Sequence, residues 1–347
     1  MKVLVTGNKG YIGSVLTDLL TGKGYGVTGL DSNYYQGCEY ETLRTSIRQI
    51  HKDIREVDSE DLEGFNAVIH LAALSNDPIG ELKPNPTLGI NYQASVRLAR
   101  LAKKSGVSRF IFASSQGMYG AVRGYTVDED FPKSPLTAYA KSKLLAEEGI
   151  GRLADRTFTP VYLRSTTVCG ISPMLRCDIL LNTMVSDAVC DGVVKLNSKK
   201  PIWRSIIHVE DIAQAYLAAL SAPKELVANE AFNVGENANN HTILEFARKV
   251  RSIIPHTKII QTDNAGPDAR TYKVDFGKIA YKLKKYFKPK WKLEDAVEEL
   301  YESFKIKKIT RAEIEDKYIR LNRLKMLFEE ARLDDHFFWK KDPRWFP

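Results

Sequence analysis

Short apolar runs alternate with amphipathic stretches through the first 170 residues. The runs at 2–6, 26–31, 47–52, 67–71, 109–113 and 160–164 are bounded by turn residues and read as strands. Between them, 11–20, 92–104 and 138–153 repeat their apolar positions at helical spacing. This strand–helix–strand rhythm predicts an α/β fold, a doubly wound parallel sheet with helices on both faces. After Gly170 the rhythm breaks. Pro173 precedes a helical pattern ending near Val189, 204–220 reads as a short strand running into a helix, and 231–234 and 258–261 read as further strands. From Leu293 onward helical charge patterning dominates, and the chain ends in an aromatic tail that includes Phe337, Phe338, Trp339, Trp345 and Phe346. The expected organisation is a sheet domain over 1–170, completed by parts of 200–235. A smaller lobe over 171–347 would be mainly substrate-binding, with a helical C-terminal extension.

Composition adds little to this except by exclusion. With 44% hydrophobic and 27% charged residues the chain has enough apolar material for a globular core. No apolar run approaches the roughly 20 residues that span a bilayer. The N-terminus runs straight into a strand and a glycine turn rather than a cleavable leader. A cytoplasmic protein with no membrane partner is expected. Cys38, Cys169, Cys177 and Cys190 show no CxxC pairing, so buried thiols are expected rather than disulfides or a metal site. Residues 270–347 hold 21 Lys/Arg against 14 Asp/Glu, which supplies most of the net charge of +8. A basic lobe suits a phosphate-bearing substrate; nucleic acid or a solvated helical face fits the same charge.

The first candidate chemistry lies at Thr6-Gly7-Asn8-Lys9-Gly10-Tyr11-Ile12-Gly13, which follows a strand and opens a helix. Gly7 allows a tight turn, Gly10 lets backbone approach a pyrophosphate, and Gly13 allows close helix–strand packing. The helix N-terminus adds free N–H groups and a positive dipole end. The second strand ends at Asp31, 18 residues beyond Gly13. A carboxylate there binds both hydroxyls of an adenosine ribose and repels a 2′-phosphate, which favours NAD over NADP. Asp53 and Ile54, after the third strand, are placed to flank the adenine.

The second lies at Tyr139-Ala140-Lys141-Ser142-Lys143, which puts Tyr139 and Lys143 on one helix face. A tyrosine is a weak base near its usual pKa of about 10. A neighbouring ammonium and a cationic nicotinamide both favour the phenolate. The apolar strand at 109–113 leads into Ser114-Ser115, at the carboxyl end where ligands of such sheets sit. A hydroxyl there can hydrogen-bond the substrate oxygen that Tyr139 deprotonates.

With these motifs in place the sequence resembles the extended short-chain dehydrogenase/reductase family, in its nucleotide-sugar epimerase/dehydratase branch. The matching elements include Thr6–Gly13, Asp31, Asp53-Ile54, His70-Leu71-Ala72-Ala73, Asn91, Ser114-Ser115, Tyr139/Lys143, Leu163-Arg164, His208-Val209-Glu210-Asp211 and Phe232-Asn233-Val234-Gly235. The resemblance implies a Rossmann domain and a catalytic set of Ser115, Tyr139 and Lys143, with Lys143 also on the nicotinamide ribose. It implies that Gly7, Gly10, Tyr11, Ile12, Gly13, Asp31, Asp53, Ile54, Leu71, Ala72, Ala73 and Asn91 line NAD. Asn182, Arg204 and Arg270 become candidates for the substrate, a nucleotide-diphosphate sugar, since arginine forks suit a diphosphate. A homodimer through helices 92–104 and 138–153 is also implied.

The sequence departs from the branch at Gln116-Gly117, where dehydratases of the family resemble one another in carrying Asp-Glu. A 4,6-dehydratase is therefore disfavoured. The expected function is an NAD-dependent epimerase working through a transient keto-sugar at C4. A nucleotide-sugar ketoreductase or dehydrogenase stands second. A non-catalytic NAD sensor or RNA binder stands last, because neither needs an ordered Ser–Tyr–Lys set. The resemblance gives no account of residues 310–347.

Overall fold

Apolar β-formers alternate with glycine turns along the first half of the chain, and the inner strands they form are buried on both faces, while the edge strand at 48–51 is not. The computed structural model describes residues 1–75, 77–122, 124–262 and 271–340. The main sheet is built from β1 (Lys2–Thr6), β2 (Gly26–Asp31), β3 (Arg48–His51), β4 (Ala67–His70), β5 (Arg109–Ser115), β6 (Thr159–Ser165) and β7 (Glu230–Val234). All seven are parallel, in the order β3-β2-β1-β4-β5-β6-β7. The helices used below are α1 (Tyr11–Gly22), α2 (Ser95–Lys104), α3 (Ala138–Gly151), α4 (Leu180–Asp191), α5 (Val209–Ser221), α6 (Ile243–Ile253), α7 (Leu293–Lys307) and α8 (Arg320–Glu329).

Strand order reverses between β1 and β4, and that reversal opens a crevice beyond the carboxyl ends of the strands. One face of the sheet packs Val3, Val5, Ile69 and Ile111 against Leu16 and Leu20 of α1 and Ile212 and Tyr216 of α5. The other packs Leu4, Val68, Phe110 and Phe112 against Leu98 of α2 and Ala146 and Ile150 of α3. Two cores on opposite sides of one sheet are what the strand–helix rhythm predicts. A third core belongs to the late segments, with Leu181 and Val185 of α4, Phe246 and Val250 of α6, and Val297, Leu300 and Phe304 of α7. It is floored by a three-stranded sheet of Thr167–Cys169, Trp203–His208 and Asn240–Thr242, and by the parallel pair Val193–Leu196 and Lys258–Gln261.

Three details differ from the sequence reading. The fifth strand runs two residues further than 109–113, to Ser115, where it pairs with Ser165, so both serines are part of the strand itself. The helix expected from residue 92 enters through a π-turn, Gly89–Ala94, before α2. Asn91 sits in that turn and its amide is committed to the Leu74 backbone at 2.8 and 2.9 Å, which holds the wider turn in place. The third concerns the aromatic tail. Leu324, Leu327, Leu333 and Phe337 return to the core that contains Leu30, Tyr34, Ile54 and Leu62, so the segment up to Phe337 covers the first strands of the sheet; Trp345 and Phe346 lie outside the described residues. All four cysteines are free thiols. Among the described residues no helix is long and apolar enough to cross a membrane.

Candidate active site

A cavity of about 610 Å³ follows the carboxyl ends of the strands. Its wall includes Gly7, Gly10, Tyr11, Ile12, Gly13, Asp31, Asp53, Ile54, Leu71, Ala72, Ala73, Ser115, Tyr139, Lys143 and Arg204. Its size falls in the range that buries a cofactor-sized ligand.

The turn after β1 is shaped by backbone contact. Gly7 has φ +73°, and a Cβ there would lie 2.7 Å from the Ala72 nitrogen. A Cβ on Gly13 would lie 2.0 Å from the Gly7 carbonyl oxygen, so only glycine lets α1 start this close to the turn. Among the described residues no side chain caps α1, and Gly10–Gly13 face the cavity. A helix start of this kind presents N–H groups to an anion. At the end of β2, Asp31 accepts from the Lys9 N–H at 3.0 Å and the Asn33 N–H at 2.8 Å. Burial pushes its carboxyl pKa up, and those two backbone donors oppose the rise. Asp53 is gripped by the Arg55 fork at 2.9 and 2.7 Å. The turn, the two carboxylates and the apolar wall at Leu71–Ala73 fit an adenine dinucleotide: ribose hydroxyls to Asp31 and a diphosphate to the start of α1.

At the other end, Thr137 caps α3 by accepting from the Ala140 N–H at 3.2 Å and donates to Asp77 at 2.6 Å. That fixes the first turn, and Tyr139 with it. One turn on, Lys143 is 3% exposed. Its ammonium donates to the Ala113 carbonyl at 2.8 Å and lies 5.9 Å from the centre of the Tyr139 ring. Burial brings its pKa down to about 7. Ser115 Oγ accepts from the Gly117 N–H at 3.1 Å, which leaves its own hydrogen to donate. Behind this set, Glu147 of α3 takes a hydrogen bond from Ser114 of β5 at 2.7 Å and a buried ion pair from Arg164 of β6. Helix α3 is thereby pinned to the two strands whose ends it faces.

Two expected lining residues lie elsewhere. Asn91 is fully buried and holds Leu74, as above. Asn182 is fully buried too; its oxygen accepts from the Gly170 N–H at 3.1 Å, and its amide donates to Tyr11 Oη at 3.2 Å and to the Arg176 carbonyl at 2.8 Å. Neither is on the cavity wall; Asn91 holds Leu74, and Asn182 holds Tyr11 and Arg176, which are. Arg204 lines the cavity, with one guanidinium N–H on the Trp203 carbonyl at 2.9 Å. Arg270 lies outside the described residues.

Other lining residues escaped the sequence reading. Arg176 forms a fork to Asp178 at 2.8 and 3.1 Å and reaches Ser75 at 2.9 Å. Burial alone would raise the Asp178 carboxyl, but the Arg176 guanidinium holds it below the usual range. Arg320, the first residue of α8, also lines the cavity at 2% exposure. A signal for it existed: Arg320 sits on the stripe that continues through Leu324 and Leu327, where a charge is out of place. Gln116 is buried, its amide on the Arg164 carbonyl at 3.1 Å, and with Gly117 it supplies no carboxylate beside Ser115.

Residues 3–235 match the NAD dependent epimerase/dehydratase family. UDP-glucose 4-epimerase of Mycolicibacterium smegmatis is 33% identical over 255 residues, 70% of this chain and 79% of that one. Among solved structures, UDP-glucose 4-epimerase of Thermotoga maritima with UDP-glucose is 25% identical, with a TM-score of 0.77 over 89% of this chain and all of that one. MoeE5 in complex with UDP-glucuronic acid and NAD is 25% identical, with a TM-score of 0.75 over 88% of this chain and all of that one. The seven-stranded Rossmann sheet, the glycine turn that fits a dinucleotide and a match over residues 3–235 agree: the chain belongs to the NAD dependent epimerase/dehydratase family and is an enzyme that uses NAD.

Proposed function

We propose that this enzyme inverts a hydroxyl-bearing carbon of a nucleoside-diphosphate sugar, at C4, through a transient keto-sugar. The observation that carries the reading is the meeting of Ser115, Tyr139 and Lys143 at the strand ends, on the wall of the cavity that also holds the glycine turn. Tyr139 takes the proton of the sugar hydroxyl, and Lys143 one turn along favours the phenolate that can accept it. The Ser115 hydroxyl donates to the same sugar oxygen and steadies its developing charge. When bound, NAD supplies the acceptor and then the donor of a hydride. Proton return from Tyr139 to the oxygen of the inverted carbon completes the cycle and restores the phenolate.

Arg204 supports a diphosphate-bearing substrate, since it brings a guanidinium to the wall beyond Ser115. Elimination of a neighbouring hydroxyl needs proton handlers next to the catalytic serine, and Gln116-Gly117 cannot supply them. The relatives named above act on or bind UDP-linked sugars, which makes those the first to try. Incubation with a panel of nucleotide sugars, read by mass and NMR, should give an isomer of unchanged mass. Stoichiometric NADH would assign a one-way dehydrogenase, and a product lighter by one water would assign a dehydratase.

The assembly proposed with this reading is a homodimer. Val96 and Leu101 of the α2 side and Leu144 and Leu145 of α3 are only half-buried and form an apolar face on that side of the sheet. A two-fold mate would cover it. Light scattering at micromolar concentration should report twice the chain mass; a strict monomer removes this part of the reading.

A further inference from the structure

The segment beyond α7 has no part in the reaction above, yet it is tied to the adenosine end of the cavity. Tyr34 Oη donates to the Phe337 carbonyl at 2.5 Å, Trp339 Nε1 to the Ser32 carbonyl at 2.6 Å, and Arg55 to the His336 carbonyl at 2.6 Å. The Arg55 guanidinium also lies 3.5 Å from the centre of the Phe338 ring. At the head of this arm, Arg320 reaches the cavity from the side. Its Nη2 donates to the Met174 carbonyl at 2.8 Å, and its guanidinium lies 4.1 Å from the centre of the Tyr35 ring. Its Nη1 is buried without a hydrogen-bond partner among the described residues. The Met174 N–H donates to Ser172 Oγ at 3.2 Å, and Ser172 Oγ donates to the Tyr11 carbonyl at 2.7 Å. Arg320 is thus hung from a loop that is bonded to the first turn of α1, whose N–H groups have no side-chain cap among the described residues. Arg176 stands in the same wall.

A buried guanidinium nitrogen with no acceptor is costly unless a ligand supplies one. Two guanidiniums near an uncapped helix start form a setting that takes a diphosphate. We propose that Arg320, with Arg176 beside it, takes the diphosphate of the bound dinucleotide, and that the arm 320–340 is a latch that retains the cofactor at its adenosine end. Retention suits a cofactor restored in every cycle, but the latch rests only on NAD binding and not on which sugar is turned over. The arm's bonds to Ser32, Tyr34 and Arg55 hold its far end against the adenosine side, while Arg320 at its head is fixed by the Met174 carbonyl and by its own N–H on Asp178 at 3.2 Å.

The test is calorimetric titration of ADP, adenosine and UDP into the full-length wild type and Arg320→Met, with melting of the ligand-free proteins alongside. ADP affinity should fall about 10- to 100-fold, the worth of a charge-assisted hydrogen bond, while adenosine and UDP change less than about threefold. Without ligand the variant should melt no lower than the wild type, because the unpartnered guanidinium is gone; a purely structural arginine would lower it. Should Arg320→Met not fold, Arg320→Lys makes the same comparison, with a loss of roughly 3- to 10-fold for ADP alone, since a single ammonium keeps the charge without the fork. Equal weakening of ADP and adenosine, no loss for ADP, or a loss confined to UDP would each overturn the proposal.

Discussion

The two ends of the cavity are built on opposite electrostatic principles. The adenosine end is a set of fixed acceptors: Asp31 held by two backbone N–H groups, and Asp53 held by the Arg55 fork. The catalytic end holds a buried cation whose proton is loosely kept, with Lys143 down at about 7 beside Tyr139. Groups at the first end are held in position by hydrogen-bond partners before any ligand arrives, which suits recognition. Those at the second change charge with their surroundings, which suits proton transfer. The contrast predicts that substitutions at one end change affinity without turnover, and at the other turnover without affinity.

The largest effect should come from Tyr139→Phe, which removes one oxygen and leaves helix and packing intact. Turnover should fall by about 10²–10⁴-fold, the usual worth of a general base, with NAD affinity unchanged by titration. Near wild-type turnover would move the chemistry to other residues. At the opposite end, the wild type should bind NAD at least about tenfold more tightly than NADP, because a 2′-phosphate would meet the Asp31 carboxylate. Asp31→Ala should narrow that ratio with little change in kcat at saturating cofactor. A ratio near one in the wild type would break the contrast from this side.

A smaller effect belongs to Lys143 and appears without cofactor. Its pKa is 10.5 unperturbed and about 7 in the fold, so between those values the unfolded chain binds the extra proton. Stability contributed by this group therefore rises with pH across that window and is lost as pH falls towards 7, by at most about 1.4 kcal/mol per pH unit. The melting temperature of the cofactor-free wild type should rise relative to Lys143→Met between pH 7 and 10. Parallel curves would mean that the ammonium is not destabilised by burial.

How much of this was legible in the sequence depended on how local the causes were. The glycine turn reads from spacing because Gly7 and Gly13 answer to contacts within the turn or its neighbouring strand. Asp31, Ser115 and the Tyr139/Lys143 pair reach the cavity wall because a strand end or a single helical turn places them. Asn91 and Asn182 sit behind the wall because the same sequence position serves a wall residue or the residue behind it, and only burial tells the two apart. Arg176 and Arg320 were missed because what fixes them is remote: Arg176 reaches Ser75, 101 positions away, and Arg320 the Met174 carbonyl, 146 positions away. The return of the aromatic tail to the first strands has the same origin, since its anchors Ser32 and Tyr34 lie some 300 positions upstream.

The central claim is oxidation and return at a single carbon, and one isotope experiment tests it most directly. A UDP-hexose deuterated at C4 is incubated with the purified enzyme and the products are read by NMR and mass. The account predicts a C4 epimer that keeps the deuterium on the inverted carbon, at unchanged mass and with no accumulation of NADH. Loss of the label to solvent, inversion at another carbon with C4 untouched, or a product lighter by one water would contradict it.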